Sequence, residues 1–427
     1  MLATLFVFFT LGGILKITDL KVFNAFDPLS QALGDMELTD IAFSQLRDDP
    51  DLDTNIVIVN IGNLSRREVG QQIQIISKYK PKIIGIDSFF DCPGNLRDTI
   101  NCPALIDVMG NALFADAIRE AGNVVLVTKI LQSDSLIETG AFDIYDSLEQ
   151  TDADLRGNAI EGYANLDTDA ENQESFKACR RFNPTLVVSG SRQNAFSVQV
   201  AMQYDSVKTL KFLERNNDSE IINYRGNIPD FHGASSFAGR YYALDWYQVL
   251  NEDFLPGLIK DKIVLFGFLG SDFTDTSWDD KFFTPLNKQY AGKANPDMFG
   301  LVVHANIVSM ILSEDYVEEL ANWQQYAIAF LVVLLNVALF FLINRKIPVW
   351  FDTLSLIIQL AQVLLCSFLM VQFFNWYNFK LNLTMTLACV ALVGTCFELY
   401  NSLIKTLYSS IKNSRLFTKR NQEVLNP

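Results

Sequence analysis

Six polar or acidic side chains follow predicted β-strands at the points where those strands end. Open parallel sheets bind ligands in the crevice at the carboxyl ends of their strands, so such side chains are candidate ligand contacts. An acidic crevice favours a cation or a polyol over an anion. The same residue types also cap helices and solvate loops, which is the alternative role. The candidates are Asn63 after the first strand, Asp87 and Asp91 on or after the second, and Ser271, Asp272 and Asp275 after a later apolar strand.

Metal-binding and catalytic motifs give little support for other chemistry. Two acidic segments, residues 167–172 and 272–280, have carboxylates at spacings that calcium could use. Neither has the glycine and distal glutamate of a calcium loop. The chain has only two histidines, and it has no zinc-spaced cysteine pair, phosphate-binding loop or nucleophile motif. We therefore expect no metal, no cofactor and no enzymatic activity.

His304 lies in the apolar stretch MFGLVVHANIVSMIL, residues 298–312. The stretch predicts an amphipathic helix from about residue 303 to residue 313, packed on the sheet. A histidine near a helix start more often bonds a backbone group or an acid, and the alternative is ligand binding or pH sensing. Residues 314–322 contain no glycine or proline, so this helix is predicted to continue toward the membrane with little slack.

The order of predicted elements supplies a scaffold for these residues. Strands at 55–62, 82–90 and 123–130 alternate with helices at 64–79 and 105–122. This order implies a largely parallel sheet flanked by helices, and therefore an α/β fold. Further along, the pattern predicts a helix at 195–205, a strand at 220–226, a helix at 242–250 and a central strand at 261–270.

Apolar segments at both ends of the chain predict an all-α membrane domain of four transmembrane helices. Residues 323–344, 347–374 and 381–404 are long enough to cross a bilayer, whereas 2–15 is short for a span. Basic residues at 345–346 and between 405 and 420 assign those positions to the cytoplasm. The predicted organisation is an anchor at 1–17, an extracytoplasmic domain at 18–321, three spans at 322–404 and a short basic cytoplasmic tail at 405–427.

Cysteine usage and charge fit this topology. Cys92 and Cys102 enclose a short loop in the extracytoplasmic domain, where an oxidising compartment would allow a disulfide. Cys179 is then left buried, free or intermolecular. The formal net charge is −15, with −20 in residues 1–321 and +5 after them. An acidic body of this kind argues against nucleic acid as a partner.

A series of motifs runs along the chain in a fixed order. The series begins with NIVIVNIG, YKPKIIGIDSFF and FADAIREAGNVVLVTKI, and it continues through GYANLDTD, CRRFNP and INYRG. It ends with ALDWYQVL, IKDKIVLFGFLGSDFTD, FFTPL and FGLVVHANIVSMIL. Taken in order, these segments resemble the CHASE2 family of extracellular sensor domains. The resemblance implies a ligand-sensing input domain of a bacterial membrane receptor, with three spans after it. Such domains usually precede a kinase, a nucleotide cyclase or a similar output domain.

Two functions from different classes follow as expectations. Only 23 residues follow Ile404, too few for an output domain, so a sensor would have to signal through a separate cytoplasmic effector. The alternative is a non-sensing scaffold subunit whose outer domain docks other membrane or envelope proteins within a larger complex. Either function predicts the lipid bilayer as a partner, and a multi-pass location in the bacterial inner membrane with the large domain in the periplasm.

Overall fold

The computed structural model describes residues 1–18, 37–48, 51–92, 96–138, 144–166, 178–229, 239–287 and 295–424. The chain divides into two compact units. A membrane-helix unit comprises Met1–Ala42 and Glu318–Pro427, and an α/β unit comprises Phe43–Val317. The α/β unit is thus one continuous stretch of chain that begins later than the predicted domain at 18–321.

The helices are labelled in chain order. They are α1 (Leu2–Thr18), α2 (Arg66–Lys78), α3 (Val108–Ala121), α4 (Asp134–Glu138), α5 (Ala153–Arg156), α6 (Phe196–Tyr204), α7 (Ser206–Leu213), α8 (Trp246–Leu250), α9 (Gly300–Ser313), α10 (Asn322–Lys346), α11 (Phe351–Tyr377) and α12 (Thr384–Val424). A short π-helical turn, Ala42–Leu46, precedes the first strand.

The strands are labelled in the same way. They are β1 (Asp53–Asn60), β2 (Ile83–Asp87), β3 (Val124–Leu131), β4 (Ser147–Gln150), β5 (Ile160–Tyr163), β6 (Arg181–Phe182), β7 (Thr185–Val188), β8 (Ser191–Asn194), β9 (Glu220–Ile221), β10 (Tyr241–Leu244), β11 (Ile263–Gly267), β12 (Lys281–Phe282), β13 (Met298–Phe299), β14 (Glu318–Glu319) and β15 (Phe379–Lys380).

One mostly parallel sheet organises the α/β unit. Its strand order is β10-β1-β11-β2-β3-β4, and β5 also pairs with β3. Every pair in it is parallel except β3 with β4. The register aligns Asn60 of β1 with Gly267 of β11, and Gly267 with Asp87 of β2. The predicted α/β fold is confirmed, and the carboxyl ends of the three central strands lie at one edge.

Helices cover both faces of this sheet because the pleat sends alternate buried side chains to opposite sides. On one face Val57 and Val59 of β1 pack in a cluster with Ile73 of α2, Phe114 of α3 and Val249 of α8. On the other face, the backbone of Gly85 in β2 lies close to Phe196 and Val200 of α6, and that of Gly267 lies close to Leu301 of α9. The result is a three-layer α/β/α arrangement.

Local sequence signals explain where the flanking helices begin and end. Ser65 and Glu68 form a reciprocal capping box at the start of α2, which satisfies backbone amides that the first helical turn leaves unpaired. Asp107 caps α3, and Gly122 ends that helix at a φ of 69°. Glycine adopts this left-handed conformation without the steric cost of a side chain.

The membrane-helix unit contains three helices that are long and apolar enough to span a bilayer. They are Asn322–Lys346, Pro348–Tyr377 and Thr384–Leu407. α1 has 17 residues. Its Val7 nevertheless packs in one buried cluster with Val333 of α10 and Val393 of α12. The three C-terminal spans thus lie where the sequence predicts them, whereas a fourth span formed by α1 stays a prediction.

The structure corrects three predictions about single elements. The predicted helix at 242–250 begins as strand β10 and becomes helical only at Trp246. The predicted strand at 220–226 is regular only over Glu220–Ile221. The prediction that this helix continues toward the membrane is wrong, because α9 ends at Ser313 and Glu314 adopts a φ of 53°. The chain then becomes extended, and β14 pairs with β15.

Candidate functional site

Asp87 is the last residue of β2 and projects at the carboxyl edge of the sheet. It lies on a strand between β11 and β3, and among the described residues its carboxylate receives no hydrogen bond. The dense protein around it raises the pKa of Asp87 to about 7, although the residue remains half-buried and therefore accessible to water. This combination is expected of an acid that is partly enclosed by protein and still open to solvent.

Asp280 supplies a second carboxylate next to Asp87. Desolvation and the negative charge of Asp87 raise the pKa of Asp280 to about 7, even though the residue is exposed on one side. The Gly300 amide at the start of α9 donates to the Asp280 carbonyl oxygen at 3.0 Å. A Cβ atom added at Gly300 would lie 3.5 Å from both Asp280 carboxylate oxygens, so Asp280 lies beside the first turn of α9.

The two carboxyl groups of the Asp87–Asp280 pair determine which class of ligand could bind there. Two acids with raised pKa values are partly protonated near neutral pH, and the charge of Asp87 opposes ionisation of Asp280. A bound cation or a ligand rich in hydrogen-bond donors would favour the doubly ionised form. The pair therefore suits the cationic or polyol ligand class that the sequence predicts for this edge.

A second group of polar residues at the same edge is committed to structure. The Asn60 side chain donates to Asp245 Oδ1 at 2.8 Å and to the Gly270 carbonyl at 3.1 Å. Its own Oδ1 accepts from the amides of Gly62 and Leu269, both at 2.9 Å. These bonds tie together the chain after β1, β10 and β11. Asn60 and Asp245 are buried, and their side-chain hydrogen-bonding groups are already used within the protein. They therefore form a structural hub and are not available to a ligand.

The loop after β11 uses its polar side chains in its own turns. Asp275 accepts from the amides of Ser271 and Ser277, both at 2.8 Å, and these backbone bonds hold the pKa of its carboxyl well below the usual range. Asp272 accepts from the amide and the hydroxyl of Thr274. The predicted candidates Ser271, Asp272 and Asp275 thus lie together in one loop, where their hydrogen bonds agree with the capping alternative.

The other two strand-end candidates lie apart from this loop. Asn63 is exposed in the turn after β1. Asp91 interacts through its side chain with Glu149 of β4, and its carbonyl oxygen accepts from Arg66 at 3.0 Å. Of the sequence-predicted candidates, Asp87 therefore remains as the carboxylate with no hydrogen-bond partner in the described part of the chain.

His304 is a buried residue of α9, with 3% of its surface exposed. Its ring meets the Phe196 ring edge-to-face at 5.3 Å, and it interacts with the backbone of Ala164. Burial lowers the pKa of His304 to about 4, so the imidazole is neutral at physiological pH. Within the described part of the chain, its Nδ1 has no hydrogen-bond partner. These surroundings favour the packing interpretation over the pH sensor.

Cys92 and Cys102 are joined by a disulfide in the structure, with their Cα atoms 5.3 Å apart. Both residues are buried, and they close the loop that precedes α3. Cys179 is buried, and its Sγ lies 4.0 Å from the Arg181 carbonyl oxygen. Its carbonyl oxygen accepts from the Tyr224 hydroxyl at 2.7 Å.

The described residues contain no group of three or more histidine, cysteine, aspartate or glutamate side chains that could hold a metal ion. The acidic segment at 167–172 lies outside the described residues. The second acidic segment contributes Asp280, which sequence reasoning treated only as part of a calcium-like spacing. The sequence gives no signal that separates Asp280 from its exposed neighbour Asp279. Asn60 and Asp245 were missed because Asn60 falls inside the predicted strand at 55–62 and Asp245 inside the predicted helix at 242–250.

A family model described as CHASE2 domain matches residues 2–341. That match covers well over half of the chain. The protein belongs to the CHASE2 family. No curated protein and no solved structure matches it.

The CHASE2 match confirms the resemblance drawn from the ordered motifs. It extends from the beginning of α1, through the whole α/β unit, into α10. A CHASE2 domain together with three long apolar helices is consistent with a membrane sensor.

Proposed function

We propose that this CHASE2 protein is a membrane sensor whose α/β unit binds a cationic or polyol ligand at the Asp87–Asp280 pair. The observation that carries the proposal is the carboxylate of Asp87, which receives no hydrogen bond from the described residues. Enclosing an acid without a hydrogen-bond donor destabilises the folded protein, and a ligand that supplies donors or positive charge would relieve that cost. Groups with such perturbed pKa values are often found at binding sites. No catalytic step is assigned to the protein.

A binding experiment tests this proposal directly. The full chain in detergent is titrated with small cationic and polyol compounds, and binding is followed by calorimetry and thermal shift. We expect Asp87→Asn to abolish binding of a compound that the unaltered protein binds. Asp279→Asn is the matched control, since Asp279 is an exposed acid beside Asp280 and outside the pair. Equal binding by the Asp87→Asn protein would refute the site.

The proposed topology has four spans, with both chain termini in the cytoplasm and the α/β unit in the periplasm of a bacterial inner membrane. Support comes from the basic residues Arg345 and Lys346 between the second and third spans. The buried contacts of α1 with α10 and α12 also suit a fourth span. A disulfide between Cys92 and Cys102 suits an oxidising compartment.

The proposed output is a separate cytoplasmic effector that docks on the C-terminal part of α12. This helix continues beyond the span that ends at Leu407 and reaches Val424. Its extension is rich in lysine and arginine. Purification in mild detergent tests the proposal, since a co-purifying kinase or cyclase would support signalling through a second chain.

A non-sensing scaffold is the second candidate function, and one observation favours it. Five apolar side chains around the disulfide loop are each more than half exposed, namely Leu96, Ile100, Ile106, Val108 and Met109. Clusters of exposed apolar residues often mark protein interaction sites. On this alternative, the disulfide-loop patch docks an envelope protein that presents an apolar face.

Substitutions in the patch separate the two functions. A scaffold predicts that an envelope protein co-purifies in fixed stoichiometry, and that replacing Ile100 and Met109 by serine removes it. Val207→Ser is the control, because Val207 is 76% exposed on α7, outside the patch. Retention of the same envelope protein by the double variant would exclude the patch as its docking site.

A further inference from the structure

The α/β unit has two connections to the membrane helices, one at each end. The chain enters near the π-helical turn Ala42–Leu46 and leaves after α9, through residues 312–317. We call these segments the entry link, residues 43–47, and the exit link, residues 312–317. They are more than 260 residues apart in sequence. Both nevertheless contact the same short stretch, residues 223–226.

One side chain in that stretch bonds to both links. The Asn223 Oδ1 accepts a hydrogen bond from Arg47 Nη1 of the entry link at 2.7 Å. The Asn223 Nδ2 donates to the carbonyl oxygen of Asp315 in the exit link at 3.0 Å. Asn223 is 1% exposed. Its amide therefore uses its acceptor for one link and its donor for the other, away from bulk water.

The neighbours of Asn223 reinforce each half of this arrangement. On the entry side, Arg47 Nη1 also donates to the Tyr224 carbonyl at 2.9 Å, and the Phe43 ring meets the Tyr224 ring edge-on. On the exit side, Arg225 donates to Ser313 Oγ at 3.0 Å and forms an ion pair with Asp315. Each link is thus fastened by more than one contact.

The helix α9 is fastened to the same stretch through Asn306. The buried Asn306 Oδ1 accepts from the Arg225 amide at 2.8 Å, and Asn306 Nδ2 donates to the Gly226 carbonyl at 2.9 Å. The first residue of α9, Gly300, lies beside Asp280. A displacement of α9 would therefore act on residues 223–226, and through them on both links.

We propose that Asn223 is a clasp residue that holds the entry and exit links at a fixed spacing, so that both connections to the membrane helices move as one body. The clasp goes beyond the proposed function and applies whether the α/β unit senses a ligand or docks a partner. Its basis is geometric, since one buried planar amide bonds to both the Arg47 guanidinium and the Asp315 carbonyl and so fixes them relative to each other. Asn223 is a positioning residue.

Hydrogen exchange on the full chain in lipid nanodiscs tests the clasp. In Asn223→Ala, we expect amides of both links to exchange about tenfold faster or more, because each link loses a buried hydrogen bond. In Asn223→Asp, the carboxylate still accepts from Arg47 but cannot donate to Asp315. We therefore expect faster exchange in the exit link, at residues 312–317, and unchanged exchange in the entry link.

A second asparagine provides the matched control. Asn165 also uses both ends of its amide, accepting from the Ile130 amide at 2.8 Å and donating to the Ile130 carbonyl at 3.0 Å. Asn165→Ala should leave both links unchanged. The clasp would be overturned if Asn223→Ala loosened only one link, or if exchange rose equally in α2 and β2. Equal loosening of both links in Asn223→Asp would also overturn it.

Discussion

Asp87 and Asp245 both lie at the carboxyl ends of parallel strands of the same sheet, yet their surroundings assign them opposite roles. Asp245 accepts hydrogen bonds from Asn60 and from the amides of Trp246 and Phe273. Asp87 has no such donors among the described residues. A carboxylate surrounded by donors stabilises the fold in its charged form, whereas an enclosed one without donors destabilises it.

The pH dependence of stability should reveal the Asp87 carboxyl. Its pKa is about 7 in the folded protein and near 3.8 when unfolded, so the unfolded chain ionises first. Wild-type stability is then expected to fall as pH rises from about 4 to 7. Asp87→Asn removes this loss. We therefore expect the free energy of unfolding of the variant, relative to that of the wild type, to increase by about 1–2 kcal/mol from pH 5 to pH 8. Thermal unfolding in detergent at both pH values measures the gain.

Asp245→Asn is the contrasting variant at the same sheet edge. It replaces an acceptor of three donors by an amide that repels some of them, so a loss of about 2–4 kcal/mol is expected at both pH values. A gain in stability for Asp245→Asn, or no pH dependence for Asp87→Asn, would contradict the assigned roles.

His304 should destabilise the protein only in acid. Its pKa falls from 6.5 to about 4 on folding, so the wild type loses stability as pH decreases from 6.5 toward 4. Glutamine cannot be protonated. Between pH 7 and pH 5, we therefore expect the free energy of unfolding to decrease by about 1–2 kcal/mol less in His304→Gln than in the wild type. Thermal unfolding at these two pH values gives the difference. Parallel pH profiles for both proteins would show that His304 titrates normally.

At the scale of single elements, α9 is a helix that the rest of the α/β unit encloses almost completely. Its residues from Gly300 to Ile311 are all buried, including the polar side chains of His304, Asn306 and Ser309. Ser309 Oγ donates to Asp53 at the beginning of β1 at 2.8 Å, while Asn306 holds residues 225–226. A helix buried on all sides is fixed by tertiary contacts, and its polar residues secure its position along the sheet.

The disulfide loop is a second element whose stability can be measured. A disulfide between Cys92 and Cys102, which are separated by 10 positions in sequence, should restrict the unfolded chain and contribute about 2–3 kcal/mol. We expect a non-reduced digest to contain a peptide linking both cysteines, and reductant to lower the unfolding temperature. The Cys92→Ser, Cys102→Ser double variant should show the lower temperature without reductant. Free thiols at both positions in the purified protein would disprove the disulfide.

At the scale of the whole molecule, the central prediction concerns topology. Reporter fusions at Lys346 and after Lys405 should give a cytoplasmic signal, and fusions within 53–317 should give an extracytoplasmic signal. The physical reason is the concentration of lysine and arginine beside the ends of the spans. A fusion directly after Met1 should also be cytoplasmic if α1 spans the membrane. A cytoplasmic signal from the α/β unit would reverse the proposed orientation.

The connection between the α/β unit and α10 differs from a single continuous helix. After Glu314 the chain is extended, and Glu318 and Leu320 amides donate to carbonyl oxygens of Asn378 and Lys380. The sequence lacks glycine and proline here and so favoured a helix. Glu314 adopts a left-handed conformation because its amide and that of Asp315 bond back to Ile311 and Met310. Arg225 and Asn223 then fix the departing chain.

The sequence by itself determined the elements whose identity depends on local chemistry. The periodicity of apolar residues located β1, α2, β2, α3, β3 and β11, and Gly122 marked the end of α3. Hydropathy located the three C-terminal spans, and the ordered motifs indicated the CHASE2 family. These features follow from neighbours in the chain, so they can be predicted without knowing which distant segments meet.

Tertiary structure alone decided which polar residues are used and which are left unpaired. Asn60 and Asp245 became a hub because strand pairing brought residues 185 positions apart into hydrogen-bond distance. Asp87 and Asp280 became neighbours for the same reason, and Asn223 came to bridge residues 47 and 315. Hydrogen-bond satisfaction and desolvation depend on every atom around a group. The sequence therefore predicted a sheet edge rich in acids, and only the folded chain distinguished Asp87 from the acids that its loops already use.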